Sequence, residues 1–183
     1  GGMGYVEETG VAQYYRDARI ASIYEGTNAI QAIDLVGRKL LRDGCLTVSA
    51  FVSDMRLIDA PLANAGEELS SMRVSLARGL DEIVQCSTHI LTGERKDPEL
   101  INAAAFNYLM LVGTVIGGWQ LARGALAAAR ALETGSGGDT VFYKTQLLLA
   151  RFYADHVLPR ALAYGAAVRA PTGTLMALTA EQF

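Results

Sequence analysis

Cysteine and histidine are nearly missing from this chain, with two of each in 183 residues. Cys45 and Cys86 lie far apart without a Cys-x-x-Cys spacing, and only His89 and His156 could join them as ligands. Cys86 and His89 stand three residues apart on one face of a predicted helix, but two ligands do not close a tetrahedral site, so no metal is expected. The thiols read as packed side chains of a reduced, cytoplasmic-type interior. Alternating apolar and polar runs bounded by hairpin turns are also missing, which excludes a sheet-based fold. Neither sign of charge dominates, since 16 Lys and Arg are interspersed with 19 Asp and Glu for a net charge of −3. Without a basic stripe, nucleic acid is excluded as a partner. No basic segment followed by an apolar core opens the chain, and Gly1-Gly2-Met3-Gly4-Tyr5 reads as a start inside something longer.

What is present is apolar content, 51% of residues, repeating at three-to-four spacing, enough for a core in an all-α helical bundle. A first helix is expected from about Thr9, with Val11, Tyr14, Tyr15 and Ala18 on one side. A second is expected from Asn28, an N-cap residue with Gln31 three positions on, burying Ile30, Ile33, Val36 and Leu40. Arg42-Asp43-Gly44 marks its stop, and residues 44–48 read as a linker between an N-terminal unit, 1–43, and a helical bundle, 49–183. Within the bundle, one helix carries Val74, Ala77, Leu80, Val84, Ser87 and Leu91 as its stripe and closes at Thr92-Gly93. Asp97-Pro98-Glu99 places a capping acid, a first-turn proline and a carboxylate at the start of a long helix reaching about Leu132. Residues 135–138 read as a loop, and a last helix from Asp139 to Val168 should break near Pro159.

From Ala103 to Ala122 there are twenty consecutive residues without a charge, the length of a membrane span. Four alanines, three glycines, Asn107, Thr114 and Gln120 dilute that stretch, and the flanking charges show no asymmetry. A central helix of a soluble bundle is the expectation, with Trp119 and Leu111 inside and Gly113 and Gly117 at its closest helix contact. A helical interaction module that covers a subunit face or touches a membrane is the alternative.

The chemistry-bearing stretch is IYEGTNAIQ, residues 23–31. Glu25 lies between an aromatic residue able to wall off water, Tyr24, and a glycine that lets a ligand approach the backbone, Gly26. A carboxylate withdrawn from water gains basicity, which proton abstraction beside a carbonyl requires. The helix start that follows supplies free N–H groups for an anion or a cofactor oxygen.

Residues 1–40, GGMGYVEETGVAQYYRDARIASIYEGTNAIQAIDLVGRKL, resemble the end of the flavin-dependent acyl-CoA dehydrogenases, which show GGxGY, RDxRI, YEGT and a helix opening with a polar residue and IQ in that order. The resemblance implies that Glu25 is the base that takes the α-proton of an acyl-CoA thioester while FAD receives a hydride. It implies that the Glu25 N–H holds the thioester carbonyl, that Gly26 lies against the thioester, and that Tyr24 flanks the acyl pocket. It implies FAD contacts at Gly1, Gly2, Thr27 and Ala29, an electron-accepting flavoprotein as redox partner, and a homo-oligomer. Arg16, Asp17 and Arg19 belong to the same pattern but read as scaffolding. Gly10 stands where the family often has proline, and Ala29 where a longer polar side chain is common. Residues 49–183, through RFYADHVLPRA (151–161) and the closing LTAEQF, are similar to the helical extension on longer members of that family. The fragment alone, lacking most of the flavin site, is expected to be inactive and to bind no FAD.

Overall fold

A computed structural model describes residues 1–24, 26–135, 138–175 and 177–182. Among these residues there is no strand, and the fold is all-α. The helices are α1 (Val11–Ile20), α2 (Asn28–Asp34), α3 (Leu46–Arg56), α4 (Asp59–Asn64), α5 (Ser70–Gly93), α6 (Leu100–Thr134), α7 (Thr140–His156) and α8 (Arg160–Val168).

The sequence sets the helix ends by identifiable chemistry. Asp139 accepts the Phe142 N–H at 2.9 Å and starts α7. Pro159, which has no N–H to give to a continuing helix, stands between α7 and α8 as the N-cap of α8. At the start of α6 the Asp97 carboxylate accepts the Glu99 N–H at 3.1 Å, so its cap acts one turn ahead of Leu100. Gly135, with φ of 61°, ends α6 in the left-handed conformation that suits glycine.

α6 is the axis of the bundle. Ala104, Ala105, Tyr108, Leu111, Val115, Gly118, Ala122, Ala125 and Ala128 recur at helical spacing and are all buried, while Phe106, Gly113 and Gln120 face outward. α5, α7, α8 and α2 pack around it. The uncharged stretch 103–122 is therefore the inner helix of the bundle. Leu111 is fully buried, whereas Trp119 sits half-buried at the rim, edge-on to Phe51 and beneath the Arg123 guanidinium.

The small residues of α6 do not all serve one contact. A Cβ on Gly117 would come within 2.6 Å of the Tyr153 hydroxyl, and one on Gly118 within 2.8 Å of Leu158, so α7 and the α7–α8 turn close onto these two positions. Gly113 was expected at the same contact, but it is exposed and nothing lies within 4 Å of its would-be Cβ.

The stripe of α5 is also rotated from the expected one. Met72, Leu76, Gly79, Leu80, Ile83, Cys86, Ser87 and Ile90 are buried, and Val74 and Val84 are exposed. Two rows of apolar residues share this helix, and the row that meets α6 takes the interior. Ser87 donates its hydroxyl to the Ile83 carbonyl at 2.7 Å, which leaves its oxygen to accept from the Tyr108 hydroxyl at 2.8 Å, so the buried tyrosine keeps a partner.

A buried carboxylate ties the last helix down. Glu82, 7% exposed, pairs with Arg169 at 2.5 Å, and Arg169 also donates to the Cys86 sulfur at 3.1 Å. Gly165 makes room for this pair, since a Cβ there would stand 1.8 Å from Glu82 Oε1. Cys45 and Cys86 are both free and buried.

The second helix departs from expectation in three ways. Thr27, not Asn28, is its N-cap, accepting the Ile30 N–H at 3.4 Å. After Asp34 it widens into a six-residue π-helical stretch, Leu35–Leu40. Its inner row is Ala32, Val36 and Leu40, all in the main core, while Ile30 and Ile33 are exposed because α6 meets the other side. Residues 44–48, expected as a linker, form a tight turn through Gly44 and Cys45, both at positive φ, followed directly by the first turn of α3. The Asp43 carboxylate holds that turn by accepting from the backbone N–H and the hydroxyl of Thr47.

Candidate active site

α1 and the short turns before it are only loosely part of the bundle. Ala12 is the one buried side chain between Gly1 and Tyr24, and Val11, Tyr14 and Tyr15, expected to be an inner row, are at least half exposed. The Thr9 hydroxyl donates to the Met3 carbonyl at 2.7 Å, and Arg16 pairs with Glu7 at 3.0 Å, fastening the two 3-10 turns to α1. Gly1 borders an open recess of about 980 Å³ shared with Tyr5, Val6, Val11 and Tyr15. Nothing lies within 4 Å of a Cβ built on Gly1 or Gly2, so their backbone is open to a ligand.

Tyr24, Gly26 and Thr27 occupy the turn from α1 to α2, and Ala29 lies in the first turn of α2. The end of α1 is fixed by Arg19, whose guanidinium donates to the Ser22 hydroxyl at 2.9 Å, which in turn donates to the Arg19 carbonyl. Gly26 adopts φ of 105°, a conformation that side-chain-bearing residues rarely take, so the glycine at this position is demanded by the turn. Thr27 then starts α2, binding the Ile30 N–H through its side chain and the Gln31 N–H through its carbonyl at 3.0 Å. With those two groups taken, the helix start at Asn28 and Ala29 is where an outside oxygen could be received.

Glu25, the candidate base, lies outside the described residues. The residues on either side of it show what this chain supplies there. Tyr24 is 58% exposed, Thr27 and Ala29 are exposed, and Gly26 is only partly covered. The water-excluding wall expected from Tyr24 is not built by this chain's described residues. Gly1 lines the recess beside α1, while Tyr24, Gly26, Thr27 and Ala29 form a second group at the turn and the start of α2, and no described cavity is lined by both. No group of three metal-ligating side chains occurs among the described residues. Gln31, read from the sequence as the partner of Asn28 in a capping-box pattern, has its carboxamide nitrogen 3.1 Å from where a Cβ on Gly26 would stand.

Comparison with known proteins matches the chain to two family models. Residues 1–41 match the family model described as acyl-CoA dehydrogenase, C-terminal domain. Residues 47–179 match the one described as acetyl-CoA dehydrogenase C-terminal like. The 3-methylmercaptopropionyl-CoA dehydrogenase of Ruegeria pomeroyi is 43% identical over 165 residues, covering 86% of this chain and 26% of that protein. The broad-specificity linear acyl-CoA dehydrogenase FadE5 of Mycobacterium tuberculosis is 32% identical over 87% of this chain and 27% of its own length. The mitochondrial short-chain specific acyl-CoA dehydrogenase of Rattus norvegicus is 58% identical over 40 residues, 22% of this chain and 10% of its own length. The chain thus spans about a quarter of the length of its long relatives.

Proposed function

This chain belongs to the acyl-CoA dehydrogenase family, and on that premise we propose that it is the C-terminal part of an FAD-dependent enzyme that introduces an α,β double bond into an acyl-CoA thioester. The observation that carries the reading is the Tyr24–Thr27 turn, where a glycine at positive φ follows the candidate base directly and a capped helix begins one residue later. Glu25 removes the α-proton. Its N–H, beside Gly26 with no side chain of its own, holds the thioester carbonyl and stabilises the charge that develops on that oxygen. Tyr24 presents its ring to the acyl chain.

The residues present fit a flavin. Gly1 and Gly2 offer open backbone, and the start of α2 at Thr27 and Ala29 has first-turn N–H groups for a cofactor oxygen. FAD, when bound, supplies the acceptor for the β-hydride. The exposure of Tyr24 and Thr27 accords with a site completed by chain outside this segment, which would exclude water and raise the basicity of Glu25. An electron-accepting flavoprotein would then reoxidise the enzyme, and a cytoplasmic location suits the two free thiols.

In the full-length enzyme, Glu25→Gln is expected to lower turnover by about four orders of magnitude or more, while acyl-CoA and flavin still bind, since the backbone N–H is retained. Steady-state rates near wild type would remove Glu25 from the mechanism. A second role for the bundle, association with another protein surface, is favoured by α7, whose outer face carries Val141, Phe142, Leu148, Leu149 and Phe152 at 47–76% exposure. Light scattering of the full-length protein and of a Leu148→Lys/Phe152→Lys variant reads that role as a change of oligomeric state.

A further inference from the structure

Cys86 is fully buried and Glu82 is 7% exposed, and two of the groups that close over them come from α8 and its end. The Gly165 carbonyl lies 3.6 Å from the Cys86 sulfur, and the Arg169 guanidinium donates to that sulfur at 3.1 Å while pairing with Glu82 at 2.5 Å. α8 itself has little to hold it down. Its buried side chains are those of Ala161 and Val168, with Gly165 between them and Tyr164 partly covered, so lifting it bares little apolar surface. At nine residues it is too short to persist as a helix without its neighbours. Past Val168, Arg169 and Thr172 are the only described residues that are not exposed. The Thr172 hydroxyl donates to the Asp97 carboxylate at 2.5 Å, so this end of the chain is pinned at two polar points. At the other end of α8 the helix breaks at Pro159, and Leu158, 2% exposed, anchors the turn in the core.

We propose that α8 and the residues that follow it as far as Thr172 form a hinged lid over Glu82 and Cys86, turning about the Leu158–Pro159 junction and opening while the rest of the bundle stays folded. A buried carboxylate–guanidinium pair fixes geometry more than it adds stability, because both charges recover their water when they part. With little apolar area beneath it, α8 belongs at the low end of the range of local opening free energies. α5 and α6 stand at the other end. Met72, Leu76 and Ile83 on one and Tyr108, Leu111 and Val115 on the other are all buried, and the two helices pack on each other whether or not α8 is in place. Opening is thus a local unfolding, and it bares a thiol whose sulfur lies 3.9 Å from the Glu82 carboxylate.

The test is peptide-resolved alkylation of Cys86 by iodoacetamide in the full-length protein, at urea concentrations below the unfolding transition, beside amide hydrogen exchange in the α5 and α6 peptides of the same samples. Cys86 is expected to react where the amides of α5 and α6 still resist exchange, and with a weaker dependence on urea, because opening a lid exposes less surface than unfolding the bundle. Arg169→Met, which leaves Glu82 without its partner, is expected to speed the labelling by about 10- to 100-fold with exchange in α5 and α6 unchanged. Thr172→Val, which removes the second pin, is expected to speed it by about 3- to 10-fold. Should Arg169→Met fail to fold, Thr172→Val carries the same comparison. Labelling of wild-type Cys86 that tracks exchange in α5 and α6 overturns the lid. So does an equal rise of labelling and of α5–α6 exchange in the variants, which would mean that both merely loosen the whole bundle, and so does an unchanged labelling rate in both.

Discussion

Cys86 and Tyr108 show what burial does to single ionisable groups in this core. Burial pushes the Cys86 thiol up to about 11 from its ordinary 9.0, with the Arg169 charge opposing only part of the effect. The Tyr108 hydroxyl is pushed up to about 12 from 10.0 by the same cause, against the lowering influence of Ser87. Cys45 is raised as well, by its own burial and by Asp43 and Glu94. Both folded and unfolded chains hold these protons below pH 9. Between 9 and 11 the unfolded chain releases the Cys86 proton while the folded chain keeps it, so stability falls as pH rises, at up to about 1.4 kcal/mol per pH unit for one group. Tyr108 adds to the loss between 10 and 12. Urea midpoints are therefore expected to be flat from pH 7 to 8.5 and to fall steeply above 9, with a shallower fall for Cys86→Ala between 9 and 11. A Cys86→Ala slope equal to wild type would count against this account. The same burial makes Cys86 a poor nucleophile, and alkylating reagents should label it only on unfolding.

Among the elements, α6 makes the sharpest contrast available within one helix. Gly117→Leu is expected to destabilise the bundle by about 1–3 kcal/mol through overpacking against Tyr153, whose hydroxyl also donates to the Thr114 carbonyl at 3.0 Å. Gly113→Ala, four residues earlier and open to solvent, is expected to stabilise by about 0.5–1 kcal/mol, because only helix propensity changes there. Thermal melts of the two variants check both signs, and equal shifts would mean that the contact with α7 is misplaced. The sequence carried much of this architecture: Gly93, Asp97, Asp139 and Pro159 announce helix ends through donors, acceptors and missing N–H groups that act locally. It did not carry the phase of α5. Val74 and Val84 are as apolar as Leu76 and Ile83, and only the arrival of α6 on one side decides which row goes inside. The Gly113-xxx-Gly117 spacing misled for a related reason, since small residues permit a close approach without dictating one. At the candidate site the order of motifs was legible, but the positive φ at Gly26 was not, since the glycine read only as room for a ligand. The reach of Gln31 was not, because it depends on which way one exposed side chain turns.

At the scale of the whole chain, residues 1–20 and the helices that follow are joined unequally. Only Ala12 is buried in that stretch, so its removal is expected to change stability by less than about 1 kcal/mol, measurable by denaturant titration of a chain beginning at Ala21. Limited proteolysis should cut there first and leave residues 28–168 intact. The contrast with α2 is large. Ala32, Val36 and Leu40 are buried to 1% exposure or less in the same core as Tyr108 and Leu111, so the segment that begins one residue after Gly26 is seated in the long bundle. A gene of this design cannot easily be shortened. A stop codon just past residue 41 would spare every motif of the opening forty residues, and yet it would leave their last helix with a bare apolar side and no floor beneath the turn that precedes it.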